Sequence, residues 1–243
     1  MYNYKAIIIP FSIIILMGVL VFPVFALEYN PGVKAGQYVK YGNFVGTGIG
    51  VESFNDYSFS KLHVTSVSGK EITLLSTGQF KDGTAIPGNG TTEIWNIETG
   101  TQDGTPSTQG PIIPANLNQG DAIPPANTYM VNRTENRVYL GISSSVNILE
   151  ATVTTPDYST SLAYIYDKAS GILLESNVET TQNQPQTTTS QYSYSIIETN
   201  IFASTQKTPV LDLTTVYLLI VIAIIVIIST AIIVLVSNRG KHR

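Results

Sequence analysis

Residues 216–236 run VYLLIVIAIIVIISTAIIVLV without a single charge. At about 1.5 Å per helical residue the run spans about 31 Å, close to the roughly 30 Å hydrocarbon core of a bilayer. A helix apolar on every side has no wet face to give a soluble fold. Arg239, Lys241 and Arg243 follow at once, and cationic flanks of this kind stay cytoplasmic. The sequence therefore predicts a transmembrane helix over 214–237, a basic cytoplasmic tail over 238–243, and everything upstream on the far side of the membrane. Asp212, Thr214 or Thr215 suits the N-cap, and Tyr217 falls at headgroup depth. There is no Gly-x-x-x-Gly, so close pairing of such helices has no support.

The other end is apolar too. Lys5 precedes a run from Ala6 to Phe25 that is broken only by Pro10, Ser12, Gly18 and Pro23, and Val24-Phe25-Ala26 puts small residues where a signal peptidase reads. Residues 1–26 are expected to be a signal peptide cleaved after Ala26. The alternative is an uncleaved N-terminal anchor, because the run is longer than most signal cores. Either way residues 27–203 form an exported domain and 204–213 a juxtamembrane tether. The expected location is the cell membrane, single-pass, with the ectodomain outside.

Charge follows the same partition. All 17 acids lie between Glu28 and Asp212, against nine bases in that window, an excess of eight negative charges. Such a surface repels phosphate backbones, so nucleic acid is excluded as a partner. The chain has no cysteine, which removes disulfides, zinc–thiolate sites and iron–sulfur clusters. An exported domain of this size must then hold together by its core alone.

From Leu27 onward, short β-branched and aromatic runs alternate with Gly, Pro, Asn and Asp every 8–12 residues or so, the pattern of an antiparallel all-β domain. Strands are expected at 37–45, at 57–67 and 71–80 (a hairpin around Ser68-Gly69), and at 92–98 with the single Trp95. Further strands are expected at 128–131 and 137–142 around a polar turn at 132–136, then at 146–154, 162–166, 171–179 and 192–202. That makes about ten strands, as a curved sheet, open half-barrel or sandwich. The Thr/Gln-rich piece at 180–190 reads as a hairpin tip, with a disordered stalk as the alternative. Between Gly100 and Pro125 lies a long polar stretch with one apolar island, Ile112-Ile113, which is expected to be functional or mobile.

Catalytic signals are sparse. Gly46-Thr47-Gly48-Ile49-Gly50 lacks the Gly-x-Gly-x-x-Gly spacing and the following helix of a dinucleotide site, and reads as a loop after a strand. The turns at Asp82-Gly83, Asp103-Gly104 and Gly120-Asp121 are turn formers before they are calcium ligands. His63, the one histidine of the exported region, alternates with Lys61 and Thr65 on a solvent-facing strand side. No nucleophile elbow or zinc-binding His pair is present. No catalytic residue, cofactor or metal ligand is assigned. Two sequons, Asn89-Gly90-Thr91 and Asn132-Arg133-Thr134, make Asn89 and Asn132 candidate glycan acceptors.

Pro31-Gly32-Val33-Lys34-Ala35-Gly36-Gln37-Tyr38-Val39-Lys40-Tyr41, Ile113-Pro114-Ala115-Asn116-Leu117 with Gly120-Asp121, and Tyr166-Asp167-Lys168-Ala169-Ser170-Gly171-Ile172-Leu173-Leu174-Glu175 resemble phrases of a group of archaeal surface proteins built from a signal peptide, one β-rich domain and a C-terminal anchor. More loosely, the run of long strands resembles the half-barrels of lipoprotein carriers. The acidic, Thr/Ser/Asn-rich, cysteine-free ectodomain without a catalytic constellation leads us to expect a non-catalytic surface domain for binding or envelope structure, with an envelope protein, glycan or apolar ligand as partner. The alternatives are a carrier or sensor of an apolar ligand in the β concavity, lined by Tyr38, Tyr41, Tyr139, Tyr164, Tyr166, Tyr192 and Tyr194, and a surface hydrolase.

Overall fold

The computed structural model describes residues 29–107, 110–125, 129–183 and 187–202. The expected signal segment, tether, transmembrane helix and basic tail lie outside the described residues. Within them the chain is all-β, with β1 (Tyr38–Thr47), β2 (Tyr57–Ser68), β3 (Glu71–Phe80), β4 (Thr91–Asn96), β5 (Thr101–Gln102), β6 (Thr105–Pro106), β7 (Ala122–Ile123), β8 (Tyr129–Met130), β9 (Arg133–Tyr139), β10 (Ile142–Thr154), β11 (Tyr158–Asp167), β12 (Leu173–Gln182) and β13 (Thr188–Thr199). One 3-10 segment, Glu52–Asp56, precedes β2.

Eleven of these strands form one open antiparallel sheet in the order β6-β5-β4-β3-β2-β1-β13-β12-β11-β10-β9. Two meanders thus meet where the first strand pairs with the last, Val39 opposite Thr199 and Thr47 opposite Gln191. This order has a consequence for the middle of the chain. β6 and β9 stand at opposite edges, about 48 Å apart in a flat sheet at 4.8 Å per strand. The connection between them must therefore cross one face of the sheet. A single sheet also needs a second layer to bury an apolar face, and this crossing supplies it.

The long polar stretch is accordingly packed. Ile113, Leu117 and Ile123 are buried and join Leu149, Tyr164, Tyr166, Leu173 and Val178 of the sheet in one core, while buried Ile112 bridges Ile172. Backbone bonds fix the path: Ile113 N–H donates to Gly171 O, Leu173 N–H to Pro111 O, and Asn116 N–H to Lys168 O. Side chains pin it further, Tyr166 Oη donating to Gly110 O at 3.1 Å and Asn147 Nδ2 to Leu117 O at 2.9 Å. Gly171 cannot be replaced there, because its φ is +75° and a Cβ would stand 2.0 Å from Ile113 O. The β11–β12 turn is closed by buried Asp167, which accepts from Ser170 N–H and Oγ–H.

Most expected strands are present with shifted ends, but the turn expected at 132–136 is a strand. Arg133–Asn136 belongs to β9 and pairs with β10, Arg133 opposite Ile148 and Tyr139 opposite Ile142. The reversal comes at Leu140 and Gly141, with φ of +52° and +79°, a two-residue turn whose handedness matches strand twist. Alternating charges on an edge strand look like a loop in sequence, and leucine is an uncommon occupant of the left-handed region. The Thr/Gln-rich piece forms paired strands up to Gln182 opposite Thr188, as expected of a hairpin.

Candidate functional site

Strand alternation gives the sheet a covered face, beneath the crossing segment, and an open face. At the β1–β2–β13 junction the crossing segment leaves the covered face unfilled, and an open groove of about 330 Å³ remains. Its walls are Tyr41 and Phe44 from β1, Tyr57, Ser60 and Leu62 from β2, Tyr192 and Tyr194 from β13, Phe54 from the 3-10 segment, and Leu173 and Pro111. That volume is at the small end of ligand sites.

Two bulges put these rings together. Tyr41 and Phe44 are three apart, so a regular strand would send them to opposite faces. Asn43 adopts φ +52° and the β1–β13 register slips between Gly42 and Val45, which returns Phe44 to the side of Tyr41. A second slip between Tyr57 and Phe59 does the same for Tyr57 with Ser60 and Leu62. Bulges of this kind re-aim side chains. The 3-10 segment is folded back by Asn55, whose side chain exchanges hydrogen bonds with Gly46 N–H and Gly46 O.

The rings form a continuous chain. Tyr41 meets Tyr194 edge-on at 5.3 Å, Phe44 lies 5.6 Å from Tyr194 and 5.3 Å from Tyr57, and Phe54 stacks on Tyr192 at 4.7 Å and on Tyr57 at 5.7 Å. No lining residue is charged. Burial, then the neighbouring Tyr194 and Tyr166, pushes the Tyr41 hydroxyl well above its ordinary value, so it is a neutral donor, committed to Leu173 O at 3.0 Å. Tyr57 Oη and Ser60 Oγ make no hydrogen bond to other described residues and offer two polar handles on an apolar wall.

Of the tyrosines expected to line a concavity, the structure brings Tyr41, Tyr192 and Tyr194 into the groove. Tyr164 and Tyr166 are buried in the core of the same face. Tyr38 and Tyr139 lie on the open face, hydrogen-bonded to Glu198 and Glu175. Sequence reading missed Phe44, Phe54 and Tyr57, since period-2 alternation is broken where they sit; Asn43 ahead of an aromatic was the one available hint.

The remaining candidates do not converge. Asp82 Oδ1 accepts from Thr84 N–H and Asp121 Oδ2 from Asn118 N–H, each within its own turn, while Asp103 Oδ1 accepts from Ile94 N–H on β4. No group of three metal-ligating side chains occurs among the described residues. Asn89 and Asn132 are exposed; each uses Oδ1 to accept a backbone N–H, from Gly78 and Glu150 respectively, which leaves Nδ2 for a glycan. A shallow hollow of about 420 Å³ on the open face holds Glu150 and Glu179. Both acids are exposed. No protein-family model matches the chain, and no curated protein matches it.

Proposed function

We propose that the chain is a membrane-anchored cell-surface protein whose β-rich ectodomain binds rather than catalyses, and that its aromatic groove is the binding element. The groove carries this reading: apolar rings from three strands, the hydroxyls of Tyr57 and Ser60 without a hydrogen bond among the described residues, and no charged lining suit a neutral ligand with an apolar face, such as a short alkyl chain or one face of a sugar ring. Ile113, Leu117 and Ile123 of the crossing segment are packed into the core of the covered face and the groove beside them holds about 330 Å³, so the cargo is smaller than that of a carrier with an empty barrel. Anchoring rests on the uncharged run at 216–236 and its basic flank. In this reading Asn89 and Asn132 are the glycan acceptors of the exported side.

The full chain, isolated from its membrane in amphipol and analysed by mass spectrometry for bound small molecules, tests the proposal against Y57A and F54A. A neutral molecule recovered from the parent and lost from both variants is the expected result; anchor-bound lipid would be retained by all three. Identical recovery from parent and variants would overturn the groove as a site. Separately, protease added to intact cells is expected to remove residues 27–203, and full protection would overturn the topology.

A further inference from the structure

The two edges of the sheet are built differently. β6 is two residues long and ends in Pro106, which has no N–H to donate, so that edge is blunted. β9 is seven residues long, has no proline, and holds an unbroken register with β10 from Arg133 to Tyr139. Because Tyr139 and Ile142 close a two-residue turn, the odd residues of β9 bond inward to β10. The backbone N–H and C=O groups of Thr134, Asn136 and Val138 then point outward, and no described strand pairs with them. Asn136 is exposed and Val138 is 69% exposed.

We propose that this edge pairs with the same edge of a second copy of the chain, antiparallel about a two-fold axis at Asn136. The outward groups restrict the choice of register, and charge decides among what is left. Side chains of Arg133, Glu135, Arg137 and Tyr139 share the open face. With the axis at Asn136, Glu135 of each copy stands opposite Arg137 of the other, and Arg133 opposite Tyr139. Moving the axis to residue 135 sets Glu135 against Glu135 and Arg133 against Arg137; moving it to 137 sets Arg137 against Arg137. Directly opposed like charges are destabilising, so one register is self-complementary and its two neighbours are not. On the covered side Thr134 meets Val138, a compatible β-branched pair. The axis yields about six backbone hydrogen bonds, two at each of three pairs, and an isologous interface that closes on itself. The charges that protect the edge from arbitrary strands thus select its own copy. Today Glu135 is held by Arg137 at 2.6 Å and Arg133 at 3.4 Å within one strand, and the same guanidinium groups reach a carboxylate across the axis. Anchoring both copies in one membrane raises their effective concentration.

The absence of cysteine makes the test clean. At a hydrogen-bonded antiparallel pair the Cα atoms lie about 5.5 Å apart, inside disulfide range. N136C in the full chain, oxidised in its own membrane after treatment with glycosidase, is expected to give a covalent dimer. V138C alone is expected to give none, because its two copies are four residues apart along the strand, about 13 Å; V138C mixed with T134C is expected to cross-link. Adding R137E to N136C is expected to lower the yield about tenfold, since two opposite-charge pairs become like-charge pairs, and the swap E135R/R137E is expected to restore it. Restoration excludes misfolding as the cause of the loss. Absence of a dimer from N136C while the chain still reaches the surface, or a stronger dimer from V138C than from N136C, overturns the proposal.

Discussion

The two faces of the sheet are stabilised in different ways. The covered face is a core: Leu117, Tyr166, Leu173 and Ile172 are all 2% exposed or less, and Tyr166 Oη and Asn147 Nδ2 donate there to backbone carbonyls, while buried Ser176 Oγ has no hydrogen-bond partner among the described residues. The open face at the β10–β12 end is a polar lattice, with Thr152 Oγ1 3.2 Å from Ser161 Oγ, Gln191 Nε2 donating to Asn177 Oδ1 at 3.0 Å, and Arg133 bridging to Glu150 at 2.8 Å. Water competes for every one of those contacts, whereas it is excluded from the first set. Yet Val146, Ile148 and Ile165, whose register places them on the open face, are buried as well. Arg133, Glu135 and Glu175 are their direct partners across the ladder, and the stems of such long side chains cover apolar surface while the heads stay wet. A single sheet can therefore protect part of its second face without a second layer.

Perturbations ranked by size separate these two regimes. Leu117→Ala empties a fully packed position where the crossing segment meets the sheet. It is expected to cost about 2–5 kcal/mol in denaturant unfolding; a loss below about 1 kcal/mol would mean that the segment does not form the core. Tyr166→Phe keeps the ring but strips the donor from Gly110 O, and is expected to cost about 1–2 kcal/mol. Thr152→Ala on the open face is expected to change stability by less than about 0.5 kcal/mol, and a larger loss would erase the contrast drawn between the faces.

The pH dependence divides along the same line. Burial raises the hydroxyls of Tyr41 and Tyr166 well above 10. A raised folded value means that this contribution is complete below the unfolded value of about 10 and fades as pH climbs past it, so the covered face is expected to weaken in alkali. On the open face the Arg137 hydrogen bond lowers Glu135, and the Tyr38 hydroxyl followed by Lys40 lowers Glu198. A lowered folded value makes those contributions complete above the ordinary glutamate value of 4.5 and lost as pH falls beneath it. Thermal melts of the parent beside E135Q and E198Q check the acid arm: the variants are expected to show a shallower decline below that value.

Strand count and type were legible because alternation and turn residues repeat along the chain. The hairpin at Gly69 follows from local chemistry, and it is where the sequence places it. The groove was only half legible. Tyr192 and Tyr194 alternate openly with Ser193 and Ser195, but Phe44 and Tyr57 reach it through bulges, and a one-residue slip reverses every side chain beyond it.

From the residues alone come the all-β class, the uncharged run at 216–236, the acidic cysteine-free middle and the absence of a catalytic pattern, because composition and periodicity are local properties. Only the tertiary structure decided that β1 pairs with β13, and everything distinctive follows from that pairing. It sends β6 and β9 to opposite edges, takes residues 110–125 across one face, buries Ile112 and Ile113 there and leaves the aromatic groove beside them. Strand pairing between residues some 160 apart is set by the summed burial of the whole sheet, which no short stretch of sequence encodes.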